Sequence, residues 1–378
     1  MTAMDARQTV DTITRNLEEV LTREDLESLV ASGTPLRHYI GFEISGKVHL
    51  GQGLVCMAKV KDFVDAGAHC TIFLADWHTW INDKLGGDRD TIRRMATAYF
   101  MEAMKASFRC VGGDPAKLHF VLATDLYHHN DDHWATLIDV AKNTSLARMQ
   151  RSITILGRKE GESVDFAKLL YPPLQVADIF TMGINIAQAG MDQRKAHVVA
   201  RDVATKLKVR PLRDATGALV KPVCVHHPLL LGIKKPAMWP PPEADLTDFW
   251  ASMKMSKSDK SSALFVHDTE DDVRAKVRKA FCPPDSAPFN PMLDWARKLI
   301  FPRDGELRIA RSEAHGGDLR FTAAEELDAA FLSGALHSAD LKNGIADWLV
   351  DTLRPAREAF SSPDATALLQ ELDTLISR

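Results

Sequence analysis

Residues 38–53 read HYIGFEISGKVHLGQG, and how this stretch is understood decides the fold. His38-Tyr39-Ile40-Gly41-Phe42 has the apolar and aromatic content of a short strand, and SGKVHLGQG behind it is a glycine-containing loop. Leu54, Met57, Val60 and Phe63/Val64 then mark the buried face of a helix that stops at Gly67, and a second apolar run, 70–76, follows at once. Strand, loop, helix and strand within about forty residues make a βαβ unit, which the right-handed crossover rule places in a parallel, doubly wound sheet. The Gly-Lys pair suggests a phosphate-binding loop, but the spaced glycine of that pattern is missing and Val48 stands where a metal-binding hydroxyl belongs.

Upstream, Val10, Ile13, Leu17 and Val20/Leu21 recur at helical spacing, and Thr22-Arg23-Glu24-Asp25 resembles a capping box opening a second helix that ends near Gly33. Downstream, helices are expected over 90–108, 131–145, 167–182 and 193–207, with strands at 118–123 and 222–225. Residues 233–252 interleave Pro236, Pro240, Pro241 and Pro242 with acids and read as a surface insertion. After about Thr269 strand signals disappear and amphipathic helices remain, including 323–332 and 341–353. The expected architecture is therefore α/β: a doubly wound, Rossmann-type domain with a helical lead-in over 1–268, followed by an α-helical domain over 269–378.

A chain of 378 residues with 26% charged and 45% hydrophobic residues has the composition of an ordinary globular protein. Its net charge of -4 excludes a bulk polycation, so any nucleic-acid contact has to come from local basic patches. Five scattered cysteines (Cys56, Cys70, Cys110, Cys224, Cys282) form no C-x-x-C pair, which argues against a disulfide framework and a thiolate metal site and for thiols in a reducing cytoplasm. The N-terminal residues lack a signal-peptide pattern and no stretch reaches the ~18 apolar residues of a membrane span, so a cytoplasmic protein without membrane contact is expected.

In a doubly wound sheet the loop after the first strand lies at the carboxyl edge, where ligands bind, and the helix N-terminus beyond it favours anions. Gly46 and Gly51 allow close approach of a nucleotide, and His49 and Gln52, three residues apart, offer two hydrogen-bond donors on one side of the first turn. Lys254-Met255-Ser256-Lys257-Ser258 sits in a polar loop after the Pro-rich insertion, and its two ammonium groups and two hydroxyls suit a triphosphate whose charge redistributes during reaction.

His49-Leu50-Gly51-Gln52 followed by KMSKS resembles the two signatures of class I aminoacyl-tRNA synthetases, usually HIGH and KMSKS. The segments between are similar to the tyrosyl-tRNA synthetases of archaea and the eukaryotic cytosol: Tyr39-Ile-Gly-Phe-Glu43, Leu74-Ala-Asp-Trp-His78, Tyr171-Pro-Pro-Leu-Gln-Val-Ala-Asp178 and Gly190-Met-Asp-Gln-Arg-Lys195. The resemblance runs from about Tyr39 to Leu341-Lys-Asn343. It implies ATP-dependent activation of tyrosine, with Mg²⁺ at the phosphates, and transfer to tRNA(Tyr) by a homodimer. Tyr39 and Asp178 would hold the phenol hydroxyl, Tyr171, Gln175 and Gln193 the α-amino group, and Glu43 and His78 would stand near the amino acid and adenylate. ATP would lie across Gly41, His49, Gly51 and Gln52, with Lys254, Met255, Ser256, Lys257 and Ser258 at its phosphates; His49, Gln52, Lys254 and Lys257 would carry catalysis. Tyr171, Gln175 and Asp178 fall at i, i+4 and i+7 on one helical face, as a shared pocket requires.

Two basic patches could meet tRNA: Arg148, Arg151, Arg158 and Lys159, then Arg194, Lys195 and Arg201. By resemblance, Arg151, Arg194 and Lys195 contact the first acceptor-stem base pair. By the same resemblance, Leu336-His337-Ser-Ala-Asp340 would read the first anticodon base, with Gly316-Gly317-Asp318-Leu319 as its partner loop and His315 where the family often has an aromatic stacker. The chain departs from the pattern at Gln52, which replaces the second signature histidine, at Phe73 and His128 near the substrate ring, and at Trp77 and Trp80 beside His78. A neutral amide can replace a neutral imidazole as donor, whereas a required cation could not be replaced so. Two rival readings are an activating enzyme for tryptophan or a modified tyrosine, against which Tyr39 with Asp178 speaks, and a non-catalytic tRNA-binding paralogue, against which the intact KMSKS speaks.

Overall fold

The computed structural model describes residues 4–157, 163–243, 246–256 and 262–376. Its centre is a six-stranded sheet in the order β1-β6-β5-β2-β3-β4, formed by β1 (Glu19–Leu21), β2 (Arg37–Phe42), β3 (His69–Leu74), β4 (Leu118–Leu122), β5 (Ile186–Gly190) and β6 (Val223–His227). All pairs are parallel except β1 against β6. Successive parallel strands spread to one side from β2 and to the other from β5, so the order reverses between these two, and that reversal is where such sheets bind ligands.

Side chains alternate between the sheet's two faces. Ile40, Phe42, Ile72 and Val225 enter one core, while Tyr39, Phe73, Ala187 and Cys224 enter the other. The first core continues without a break into the later helices through Trp295, Leu349 and Leu372. Four cysteines are buried and Cys282 is partly so, all as free thiols. No described helix is long and apolar enough to cross a membrane.

Several expectations fail for identifiable reasons. The first helix ends at Thr14, and Val20 and Leu21, read as its continuation, belong to edge strand β1, paired with Val225 and Cys224. Strand β5 was not foreseen, because its central residue, the buried Gln188, interrupts the apolar run and is held by His38 and His227 instead. Strands also persist after Thr269: β7 (Leu307–Ile309) and β8 (Leu319–Phe321) make a short antiparallel hairpin. The Pro-rich insertion contains the helix Leu246–Met253, whose Phe249 and Met253 pack with Leu231 and Phe289 in a small core of their own. Its neck is closed by backbone bonds: Gly232 N donates to Met253 O at 2.7 Å, Met255 N donates to Leu230 O at 2.8 Å, and Leu231 bridges Lys254.

The helix Pro363–Ile376 returns from the far end of the chain to the sheet's carboxyl edge. Leu372 is its fully buried anchor, Asp373 takes the ammonium of Lys47, and Glu371 pairs with Arg94.

Candidate active site

A cleft of about 580 Å³ opens where the sheet order reverses, between the carboxyl ends of β2 and β5. It collects Tyr39, Glu43, His78, Tyr171, Gln175 and Gln193, which the sequence placed around an amino acid, together with Gly41, His49, Gly51, Gln52, Lys254, Met255 and Ser256 from the nucleotide set. Lys257 and Ser258 lie outside the described residues. Leu375 and Ile376 also reach this cleft from the helix Pro363–Ile376.

Asp178 does not line the cleft itself: it is wholly buried on the helix Phe166–Thr181, which also carries the lining residues Tyr171 and Gln175. One carboxylate oxygen, Oδ1, accepts from the hydroxyl of Tyr127 at 2.7 Å. The other, Oδ2, lies 3.8 Å from His78 Nε2 and has no hydrogen-bond partner. Both ring nitrogens of His78 and the Oε1 of Gln175 are likewise buried and unpartnered. Orphaned polar atoms converging from separate elements are costly in a closed core and mark a place where a polar ligand completes the bonding. Burial drives the Asp178 carboxyl well above the usual range, and the Tyr127 hydrogen bond acts against that shift. Burial also pushes His78 down to about 3, so its imidazole is neutral.

Gly41 has a function other than the one assigned from the nucleotide pattern. Tyr39 and Gly41 share one face of β2, and a Cβ at 41 would stand 2.6 Å from the Tyr39 hydroxyl. Gly41 thus makes room for Tyr39. Glu43 is oriented by Asn82, whose Nδ2 donates to Oε2 at 2.8 Å, and Gln193 donates to Ile155 O at 2.9 Å. Phe73 lines the pocket as expected, its ring 5.8 Å from that of Tyr39. His128 does not: it is exposed, and the neighbouring Tyr127 points inward instead. Trp77 packs edge-on against Tyr127, while Trp80 is partly exposed beside Arg89. Neither tryptophan lines the cleft.

Elsewhere in the cleft the first signature segment is stitched to residues 264–266, downstream of KMSKS. His49 bridges Phe265, Leu50 N donates to Leu264 O at 3.0 Å, and Val266 N donates to Val48 O at 3.0 Å. Val48 is therefore a core residue whose N–H goes to the Tyr99 hydroxyl. A Cβ on Gly53 would meet Val266 Cγ1 at 2.2 Å, so glycine is what lets the two segments touch. Gly51 N donates to His49 Nδ1 at 3.1 Å, which leaves the proton of a neutral ring on Nε2. Gln52 lines the cleft with a buried, unpartnered Oε1. Lys254 is held by Asp192 at 3.1 Å.

The basic patches are only partly open. Lys195 donates to Arg151 O, Arg194 forms a fork with Glu19, and Arg148 pairs with Asp202. Arg158 and Lys159 lie outside the described residues. Arg201 is removed from the nucleic-acid set: it is largely buried and ties Leu21 O, Pro222 O and Asp25 together at the sheet edge. In the later helical part, His337 caps the helix Ser338–Thr352 through Ala339 N, and Arg311 gathers Asp318, Gly317 and Asp340 into one corner. The side chain of His315 lies outside the described set.

Sequence reasoning missed Tyr127, Asn82 and Asp192. Asp192 stood inside a quoted segment, whereas Tyr127 and Asn82 belong to no motif and are revealed only by their partners.

Comparison with known proteins agrees with this geometry. The family described as tRNA synthetases class I (W and Y) matches residues 31–354. The chain is 52% identical to a tyrosine–tRNA ligase of Thermococcus sibiricus over 98% of this chain and 99% of that one, and 50% identical to one of Pyrococcus abyssi over the same shares. A crystal structure of the tyrosyl-tRNA synthetase of Pyrococcus horikoshii complexed with L-tyrosine superposes with a TM-score of 0.93 at 48% identity, covering 97% of this chain and 100% of that one. On its strand order, its cleft and these relatives, the chain belongs to the class I tRNA synthetases, within the tyrosine branch found in archaea.

Proposed function

We propose that this protein activates L-tyrosine with ATP and transfers it to tRNA(Tyr). The observation that carries the reading is the buried, unpartnered Oδ2 of Asp178, an acceptor that a phenol hydroxyl satisfies and that phenylalanine or an indole leaves empty. Tyr39 at the cleft lining and Asp178, buried 3.8 Å from His78, take the phenol, Tyr171, Gln175 and Gln193 the ammonium, and Glu43 and His78 line the path to the carboxylate. That carboxylate attacks the α-phosphorus of ATP, pyrophosphate leaves, and a terminal ribose hydroxyl of the tRNA then displaces AMP from the carbonyl carbon.

No residue need act as a nucleophile. His49 Nε2–H and the Gln52 amide donate to the nucleotide, Gly51 keeps the backbone close, and Lys254 and Lys257 with Met255, Ser256 and Ser258 surround the phosphates. Mg²⁺ arrives on the nucleotide as part of the substrate and screens the phosphate charge. Residues 1–268 carry this chemistry and 269–378 read the anticodon through His315, His337 and Asp340, while Arg151, Arg194 and Lys195 meet the acceptor stem. Trp134, Ile138, Leu146, Phe166 and Leu170 are large apolar residues left exposed on neighbouring helices, which supports a homodimer formed through them. Free thiols support a cytoplasmic location.

Pyrophosphate exchange with tyrosine, phenylalanine and tryptophan tests the reading. Exchange with tyrosine alone is expected; exchange with tryptophan alone, or with none, overturns it.

A further inference from the structure

We infer that Tyr127 is a specificity-determining residue: by occupying Oδ1 of Asp178 it fixes the carboxylate with Oδ2 turned to the ligand, so that one oxygen is left for a phenol hydroxyl. The inference rests on the tyrosine reading of this cleft and goes beyond it by giving the carboxylate a dedicated partner that belongs to neither signature.

Tyr127 is fully buried at the end of the helix Ala123–Tyr127, directly after β4. Its ring is clamped on three sides. His133 stacks on it with centroids 4.0 Å apart and planes at 15°, Trp77 meets it edge-on at 5.5 Å, and Trp134 packs at 5.8 Å. The clamp is itself bonded: Trp134 Nε1 donates to Tyr127 O at 3.2 Å, His133 Nδ1 lies 3.1 Å from Thr181 Oγ1, and Trp77 Nε1 donates to Thr124 Oγ1 at 3.2 Å. A tyrosine held this firmly loses little entropy in donating, so its hydrogen bond sets the rotation of the Asp178 carboxylate.

A buried carboxylate with two free oxygens would be satisfied by water or by an ammonium group as readily as by a phenol. With Oδ1 taken, the bonding capacity left over is directional. The groups facing Asp178 are Tyr127, Tyr39 on β2, His78 and Asp76 on the helix Asp76–Ile81, and Tyr171 on its own helix. Among them Tyr127 is the one that hydrogen-bonds it, and its donation favours the charged form against the cost of burial.

The test compares Tyr127→Phe, Trp134→Phe and Asp178→Asn in pyrophosphate exchange. Tyr127→Phe is expected to lower kcat/KM for tyrosine about tenfold while changing that for phenylalanine less than about twofold, so that discrimination falls. Losing the donated bond raises the Asp178 carboxyl further, so the acid limb of kcat/KM for tyrosine moves to higher pH. Trp134→Phe, which loosens the clamp and keeps the hydroxyl, is expected to move both readouts the same way by a smaller amount. Equal losses for tyrosine and phenylalanine, or an unmoved ratio and acid limb while Asp178→Asn abolishes tyrosine exchange, overturn the inference and reduce Tyr127 to packing. An Asp178→Asn enzyme that keeps full selectivity overturns the cleft reading itself, a result distinguishable from the first.

Discussion

Lys47 and Asp373 stand 326 positions apart and meet at 2.7 Å, with the lysine largely withdrawn from solvent. Lys47 is the residue that made the loop resemble a phosphate binder. Its ammonium is committed to a helix whose Leu375 and Ile376 reach the same cleft. Lys47→Met and Asp373→Asn should therefore each raise KM for ATP by about threefold, the scale of a partly exposed ion pair, with less change in kcat. A lysine that bound phosphate directly would instead lose kcat heavily in Lys47→Met while Asp373→Asn stayed neutral, and steady-state kinetics separate the two.

Gly41 and Tyr39 give a second prediction. A methyl at 41 would sit 2.6 Å from the Tyr39 hydroxyl and push the ring out of place. Gly41→Ala should raise KM for tyrosine at least about tenfold and leave KM for ATP nearly unchanged, since a misplaced hydroxyl forfeits a hydrogen bond of the usual strength. Isothermal titration with tyrosine alone checks this. The reverse pattern, weakened ATP and normal tyrosine, would return Gly41 to the nucleotide.

Gln52 is a third case. A neutral amide and a neutral imidazole both donate to phosphate, so Gln52→His should change exchange by less than about threefold, whereas Gln52→Ala should cost roughly a hundredfold, as removal of one donor to developing charge does. Should Gln52→His accelerate the enzyme greatly and increasingly toward low pH, the position needs a cation and the donor argument fails.

The approach of Gly53 to Val266 makes the fourth. Gly53→Ala inserts an atom where none fits and should destabilise the fold by about 1–3 kcal/mol, read as a lower midpoint in thermal or urea unfolding. An unchanged midpoint would mean that the segment 48–53 separates from residues 264–266 at no cost.

Much of this was legible in the sequence. The first βαβ unit is plain because its strand and helix are periodic and its loop is rich in glycine, and Tyr171, Gln175 and Asp178 share a helical face that arithmetic alone reveals. What escaped depends on pairing across the fold. β1 is three residues long and exists because β6 offers an edge. β5 hides behind Gln188, whose burial makes sense only with His38 and His227 beside it. Tyr127 lies 51 residues from Asp178 and carries no local signal. Arg201 reads as a surface cation and proves to be a bracket for backbone carbonyls.

The closed neck of the Pro-rich insertion leaves it modular. Because Leu230–Gly232 and Met253–Met255 are hydrogen-bonded to each other, the chain departs and returns at one point, and Lys254–Ser256 take their position from that junction. The residues between the neck and the helix Leu246–Met253 can then lengthen or shorten at a loop-closure cost that grows only slowly with length, while Phe249 and Met253 keep that helix packed on Leu231 and Phe289.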